Sequence, residues 1–124
     1  MARILIAEDE EPLRTLIKRA LAEEGHLVVA TADGSEALDV LQSEAGGFDL
    51  LLADIKMPVM DGIALALAVA RDFPKLPILL MTGYADQRER VSGLEALICD
   101  VISKPFSGAE IKFAVAAAIA KGKR

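Results

Sequence analysis

The chain is poor in the residues from which many functional centres are built. Its 124 residues include one cysteine, Cys99, which excludes an internal disulfide and a cysteine metal cage alike. The expected role of Cys99 is a small apolar filler ahead of the last strand. The one histidine, His26, stands at the start of a strand with no second histidine to share a metal. Positive charge is scarce as well. The net charge is −5, which argues against nucleic acid as a direct partner, because contact with phosphates needs a basic surface. The only basic cluster is Lys121, Lys123 and Arg124. No apolar run approaches the ~20 residues that span a bilayer. The first residues lead straight into a strand pattern, with no charged leader, apolar h-region or cleavage site. Cytoplasmic residence is therefore expected. Repeats, linkers and low-complexity segments are absent. The length suits one domain over 1–124, able to bury a core without disulfides, and no output domain is expected beyond the final helix.

What the chain does have is apolar residues in short runs. The hydrophobic fraction is 53%, which suits a sheet covered by helices on both faces, whose strands read as continuous apolar segments. Strand and helix patterns alternate five times. Arg3 to Ala7 is expected as the first strand. A helix opens at Pro12, a residue suited to a first turn. It carries Leu13, Leu16, Ile17, Ala20 and Leu21 at helical spacing, and Gly25 ends it. Leu27 to Thr31 is a second strand. Asp33-Gly34-Ser35 starts a helix bearing Ala37, Leu38 and Leu41, which stops at Gly46-Gly47. Asp49 to Ala53 is the most apolar strand and is expected at the centre. Asp61-Gly62 leads into a helix from Ile63 to Phe73, closed by Pro74 and Pro77. Ile78 to Met81 is the fourth strand. A polar helix from about Asp86 to Glu95, interrupted by Gly93, precedes a short strand from Val101 to Ser103. Ser107 caps the final helix, with Glu110 completing a capping box.

Such alternation indicates a doubly wound α/β fold, a (βα)5 three-layer sandwich with right-handed crossovers around a parallel five-stranded sheet. Acidic residues follow strands one and three, Glu8-Asp9 and Asp54. The order 2-1-3-4-5 makes those strands neighbours at the topological switch point, where ligands bind at the carboxyl ends of the strands. Thr82 and Lys104-Pro105 end strands four and five and fall on the same edge. Three carboxylates, a hydroxyl and a lysine should therefore meet. Crowded carboxylates repel unless a hard cation sits among them, and an oxygen-only set suits Mg²⁺. The cluster reads as a metal-assisted site for a phosphoryl group.

Four segments then carry a family resemblance. Ile4 to Asp9, the loop Asp54-Ile55-Lys56-Met57-Pro58-Val59-Met60-Asp61-Gly62, Met81-Thr82-Gly83 and Ser103-Lys104-Pro105-Phe106 together resemble the receiver domain of bacterial two-component response regulators, of the stand-alone, single-domain type. The resemblance covers essentially the whole chain. It implies that Asp54 takes a phosphoryl group from a phosphohistidine on a partner, a sensor histidine kinase or a histidine-phosphotransfer protein. It implies that Asp9, Asp54, Glu8 through water and the backbone carbonyl of Lys56 hold Mg²⁺. Thr82 and Lys104 would take phosphoryl oxygens, and the Lys104-Pro105 bond resembles one that is cis in the family. The protein would catalyse only its own phosphorylation and dephosphorylation and would not otherwise be an enzyme.

Phosphorylation would pull Thr82 and Lys104 inward, with Thr82, Val101 and Pro105 as switch positions. The surface of the fourth helix, fifth strand and final helix would then be rearranged for a downstream protein. One departure concerns Val101, where many receivers carry Tyr or Phe. Tyr84 is a substitute for that aromatic, although it reads first as an ordinary loop residue. Lys56 and Tyr84 also flank the route by which water would reach the phosphoryl group. In the final helix Ile111, Val115, Ala118 and Ile119 form one apolar stripe, and Phe113, Ala117 and Ala120 form a second that suits a docked partner, a second copy of the chain included. Other readings within the family are a relay intermediate that passes the group to a histidine-transfer domain, and an adaptor for an ATP-dependent protease. A haloacid-dehalogenase-type hydrolase needs an acid two residues after the nucleophile, and Lys56 occupies that position.

Overall fold

The computed structural model describes residues 2–45, 47–83 and 91–122. Its strands are β1 (Arg3–Ala7), β2 (Leu27–Thr31), β3 (Leu50–Asp54), β4 (Ile78–Thr82) and β5 (Asp100–Ser103). All pair in parallel, in the order β2-β1-β3-β4-β5, as the sequence predicts. Successive strand residues point to opposite faces, and each face has its own core. Ile4 and Ile6 of β1 pack with Leu50 and Leu52 of β3 beneath α1 (Glu11–Glu23) and the last helix, α4 (Gly108–Gly122). Leu5, Leu51 and Leu80 face the other way, against α2 (Gly34–Ser43) and α3 (Gly62–Asp72). β3 and β4 are buried at every position, since both have strands on either side and helices above and below.

The helix ends follow local chemistry. The Asp33 carboxylate accepts from Glu36 N at 2.8 Å and Asp61 from Ala64 N at 2.8 Å, so each satisfies an amide that the first turn leaves without a helical partner. Ser107 and Glu110 form the predicted capping box, with reciprocal bonds of 2.9 and 3.1 Å. Helix α1 departs slightly from the sequence reading. It begins at Glu11, with Pro12 inside the first turn and no side-chain cap at Glu10. Half of the polar helix expected over Asp86–Glu95, residues 86–90, lies outside the described residues, and 92–95 are not helical. Of the remainder, Val91 is buried in the core beside α3.

Two glycines let the chain close tightly around the end of β3. A Cβ on Gly62 would overlap the Asp54 carbonyl oxygen, and one on Gly34 would lie 2.5 Å from the Met60 carbonyl oxygen. Gly62 N donates to Ile55 O at 2.8 Å and Gly34 N to Met60 O at 3.1 Å. The loop after β3 is thus held at both ends. Between those anchors Val59 has φ 66°, a left-handed conformation costly for a β-branched side chain.

Candidate functional site

Five of the sequence-predicted side chains come from the carboxyl ends of four strands. Glu8 and Asp9 follow β1, Asp54 is the last residue of β3, Thr82 the last of β4, and Lys104 follows β5. Asp54 lies within the strand rather than just beyond it, since it pairs with Met81 of β4. The sheet itself therefore fixes its backbone. Glu8 N donates to Thr31 O at 3.0 Å and Lys104 N to Thr82 O at 2.7 Å, so the backbone bonding continues one residue past the strands on either side.

Glu8 is fully buried, Asp54 is 4% exposed and Thr82 2% exposed, whereas Asp9 faces solvent. Carboxylate oxygens of Glu8, Asp9 and Asp54 all lie within 4.8 Å of one another. Lys104 Nζ reaches across the sheet edge and donates to Glu8 Oε1 at 2.9 Å and to Asp54 Oδ2 at 2.9 Å. One ammonium thus serves two buried carboxylates. Glu8 Oε2 is taken up by Glu10 N at 3.0 Å.

Electrostatics follow from that burial. Burial pushes the Glu8 carboxyl up to about 7 because it leaves a charged carboxylate without water. The Glu10 amide and Lys104 pull it back, and the neighbouring Asp54 charge adds to the rise. Burial likewise raises Asp54, against the pull of Lys104 and with a further push from Asp9. Burial alone would lower the Lys104 ammonium, but its bonds to Asp54 and Glu8 outweigh that and hold it above its ordinary value. A lysine is therefore kept charged beside two acids held uneasily as anions. The donor set, three carboxylates and no sulfur or imidazole, fits a hard divalent cation.

The cluster opens into a cleft of about 680 Å³ lined by Asp9, Asp54, Lys56, Gly83, Lys104 and Pro105, with Leu13, Leu16 and Phe106 on its apolar side. Lys56 is exposed at its rim. The Lys104–Pro105 bond is cis. Val101 is half-buried in β5. Tyr84, Lys123 and Arg124 lie outside the described residues. His26 stays away from the cluster and accepts from Ala2 N through Nδ1 at 3.2 Å. Cys99 is half-buried against α4, its Sγ 3.9 Å from Ala118 O. On α4 the first stripe is buried at Ile111, Val115 and Ala118, while Phe113 on the second is 78% exposed. One side chain at the site went unread in the sequence. Arg14, one turn into α1, donates through Nη1 to the Glu8 carbonyl oxygen at 2.9 Å. Its only sequence signal is a basic residue shortly after an acidic run.

Comparison with known proteins converges on one family. The sequence profile described as the response regulator receiver domain matches residues 4–116. The transcriptional regulatory protein CpxR of Escherichia coli K12 is 36% identical over 111 residues, covering 90% of this chain and 46% of that protein. The chain spans about half the length, 41–50%, of the curated relatives it matches. Among solved structures, the response regulator TrrA of Thermotoga maritima, in complex with Mg²⁺-BeF, superposes with a TM-score of 0.81 at 32% identity, over 94% of this chain and 97% of that one. A CheY-like receiver domain protein of Methanospirillum hungatei gives a TM-score of 0.88 at 28% identity, over 99% and 97% of the two chains.

Proposed function

Because this chain belongs to the response regulator receiver family, we propose that it is a phosphoacceptor switch of a two-component system in which Asp54 carries the phosphoryl group. The observation that supports this best is the Lys104 ammonium at 2.9 Å from both Glu8 and Asp54 with Asp9 alongside. It is a cationic arm and an acidic cluster built around one buried carboxylate. Phosphoryl transfer has a loose transition state, so a protein accelerates it mainly by positioning and by neutralising charge on the equatorial oxygens. An Asp54 oxygen forms the new bond to phosphorus. The bond from phosphorus to the donor imidazole nitrogen breaks, and that nitrogen keeps the electron pair and takes a proton. Lys104 then exchanges a carboxylate for a phosphoryl oxygen, and the Thr82 hydroxyl is placed at the end of β4 to donate to another.

Glu8, Asp9, Asp54 and the Lys56 carbonyl are the groups that would hold Mg²⁺, Glu8 through water. Bound there, the ion would offset the repulsion between an anionic nucleophile and an anionic donor. The protein would catalyse only its own phosphorylation and dephosphorylation. TrrA, in complex with Mg²⁺-BeF, suggests the test. Beryllofluoride with Mg²⁺ should raise the melting temperature of the wild type and leave Asp54→Ala unmoved. An equal rise in Asp54→Ala would contradict the assignment.

Receiver domains of response regulators work between sensor kinases and downstream effectors. In our reading the donor is a histidine kinase or histidine-phosphotransfer protein. The output is the face containing β5 and α4, where Phe113 stands 78% exposed, toward an effector protein or a second copy. Among the described residues no helix is long and apolar enough to cross a membrane, and cytoplasmic residence is part of the same proposal.

A further inference from the structure

One charged side chain beside the cluster has no part in holding the phosphoryl group. Arg14 spends Nη1 on the main-chain carbonyl of Glu8, 2.9 Å away and partly shielded from solvent. That carbonyl belongs to the rigid peptide plane joining Glu8 to Asp9. The next plane, joining Asp9 to Glu10, is held through its N–H, which donates to Glu8 Oε2 at 3.0 Å. The Asp9 carboxylate is exposed, and among the described residues no hydrogen bond holds it. The two planes that flank the Asp9 Cα set where its Cβ points, and so the region its carboxylate can reach. One of them is gripped by Arg14 and the other by Glu8. The first helical bond of α1, from Arg14 N to Glu10 O at 2.9 Å, ties the same guanidinium-bearing residue to the far side of Asp9.

We infer that Arg14 is a positioning residue for the divalent cation: by fixing the Glu8–Asp9 peptide plane it aims the Asp9 carboxylate toward Glu8 and Asp54. The inference rests on the reading of those three carboxylates as the metal-holding set. Its effect is opposite in sign to that of the charge alone. A guanidinium next to a cation site repels the cation, so on electrostatics its removal should tighten binding. Loss of alignment should weaken it.

The test is titration of metal-free protein with Mg²⁺ alone, followed by calorimetry, for wild type, Arg14→Met and Arg14→Lys, with the melting temperature of each metal-free protein as control. Arg14→Met should bind Mg²⁺ about tenfold more weakly, the scale on which partners of metal ligands act. Its metal-free melting temperature should move by no more than the loss of one partly buried hydrogen bond allows. Arg14→Lys keeps a donor and should recover most of the affinity. Equal or tighter Mg²⁺ binding by Arg14→Met would overturn the inference, and so would a lysine variant as weak as the methionine one. Failure of the wild type itself to bind Mg²⁺ would instead reject the metal-holding reading beneath it. With no protein partner in the cell, a docking role for Arg14 cannot produce the expected loss.

Discussion

Lys104→Met should cost the metal-free protein about 3–5 kcal/mol at pH 8, the scale for removing one partner from a buried ion pair. The lysine is bonded at 2.9 Å to each of two carboxylates, one fully buried and the other nearly so. Methionine fills similar space and supplies no charge, so Glu8 and Asp54 would face each other and Asp9 without a cation. The loss is a large share of the ~5–15 kcal/mol that holds a domain folded. Near pH 5 it should shrink, because Glu8, raised to about 7, then carries a proton and needs the ammonium less. Denaturant unfolding at the two pH values in chelator measures this directly. The same substitution should slow labelling by a small phosphodonor about 100-fold, as expected for one lost donor to developing charge. A variant as stable as wild type at pH 8, or labelled at the wild-type rate, would contradict the role assigned to Lys104.

Glu8 makes the second large effect. A carboxyl raised from 4.5 to about 7 by burial binds protons more tightly folded than unfolded. The stability it contributes is therefore complete below pH 4.5 and lost as the pH rises through 7. Asp54, also raised, acts in the same direction, while Lys104, raised from 10.5, does not titrate in that window. The metal-free wild type should lose on the order of 2–3 kcal/mol between pH 5 and pH 8 from Glu8. Other acids titrate too, so the clean measurement is the difference between wild type and Glu8→Gln. The two should be close at pH 5, and the glutamine variant should be the more stable at pH 8. A difference that does not change with pH would remove the burial argument. Added Mg²⁺ should restore the wild type most at pH 8, where Glu8 is an anion, and should do less for Glu8→Gln.

The sheet order and all five site side chains could be foreseen for the same reason. Glu8-Asp9, Asp54, Thr82 and Lys104 each stand at the end of a short, mainly apolar run, and in a parallel sheet such positions share one edge. Glu8 was equally visible as a residue, but its complete burial beside an exposed Asp9 was not. Sequence shows two adjacent acids and not which of them turns beneath the lysine. Residue alternation along β1 decides it. Arg14 was invisible because its bond goes to a main-chain oxygen, and a carbonyl leaves no trace in residue type. The strained Val59 was equally hidden. Nothing in Pro58-Val59-Met60 announces a positive φ, which occurs in a loop tied down through Gly34 and Gly62. Phe113 was legible as an off-stripe aromatic, and its exposure agrees with that spacing.

The most direct test of the account is the mass of the intact protein after incubation with acetyl phosphate and Mg²⁺, followed by mapping of the labelled peptide. The wild type should take up one phosphoryl group, located on Asp54. Asp54→Ala, and the wild type in excess chelator, should remain at the unmodified mass. A phosphoryl adduct on Asp54→Ala, or one that forms undiminished in chelator, would contradict both the acceptor and the metal-assisted chemistry assigned to this site.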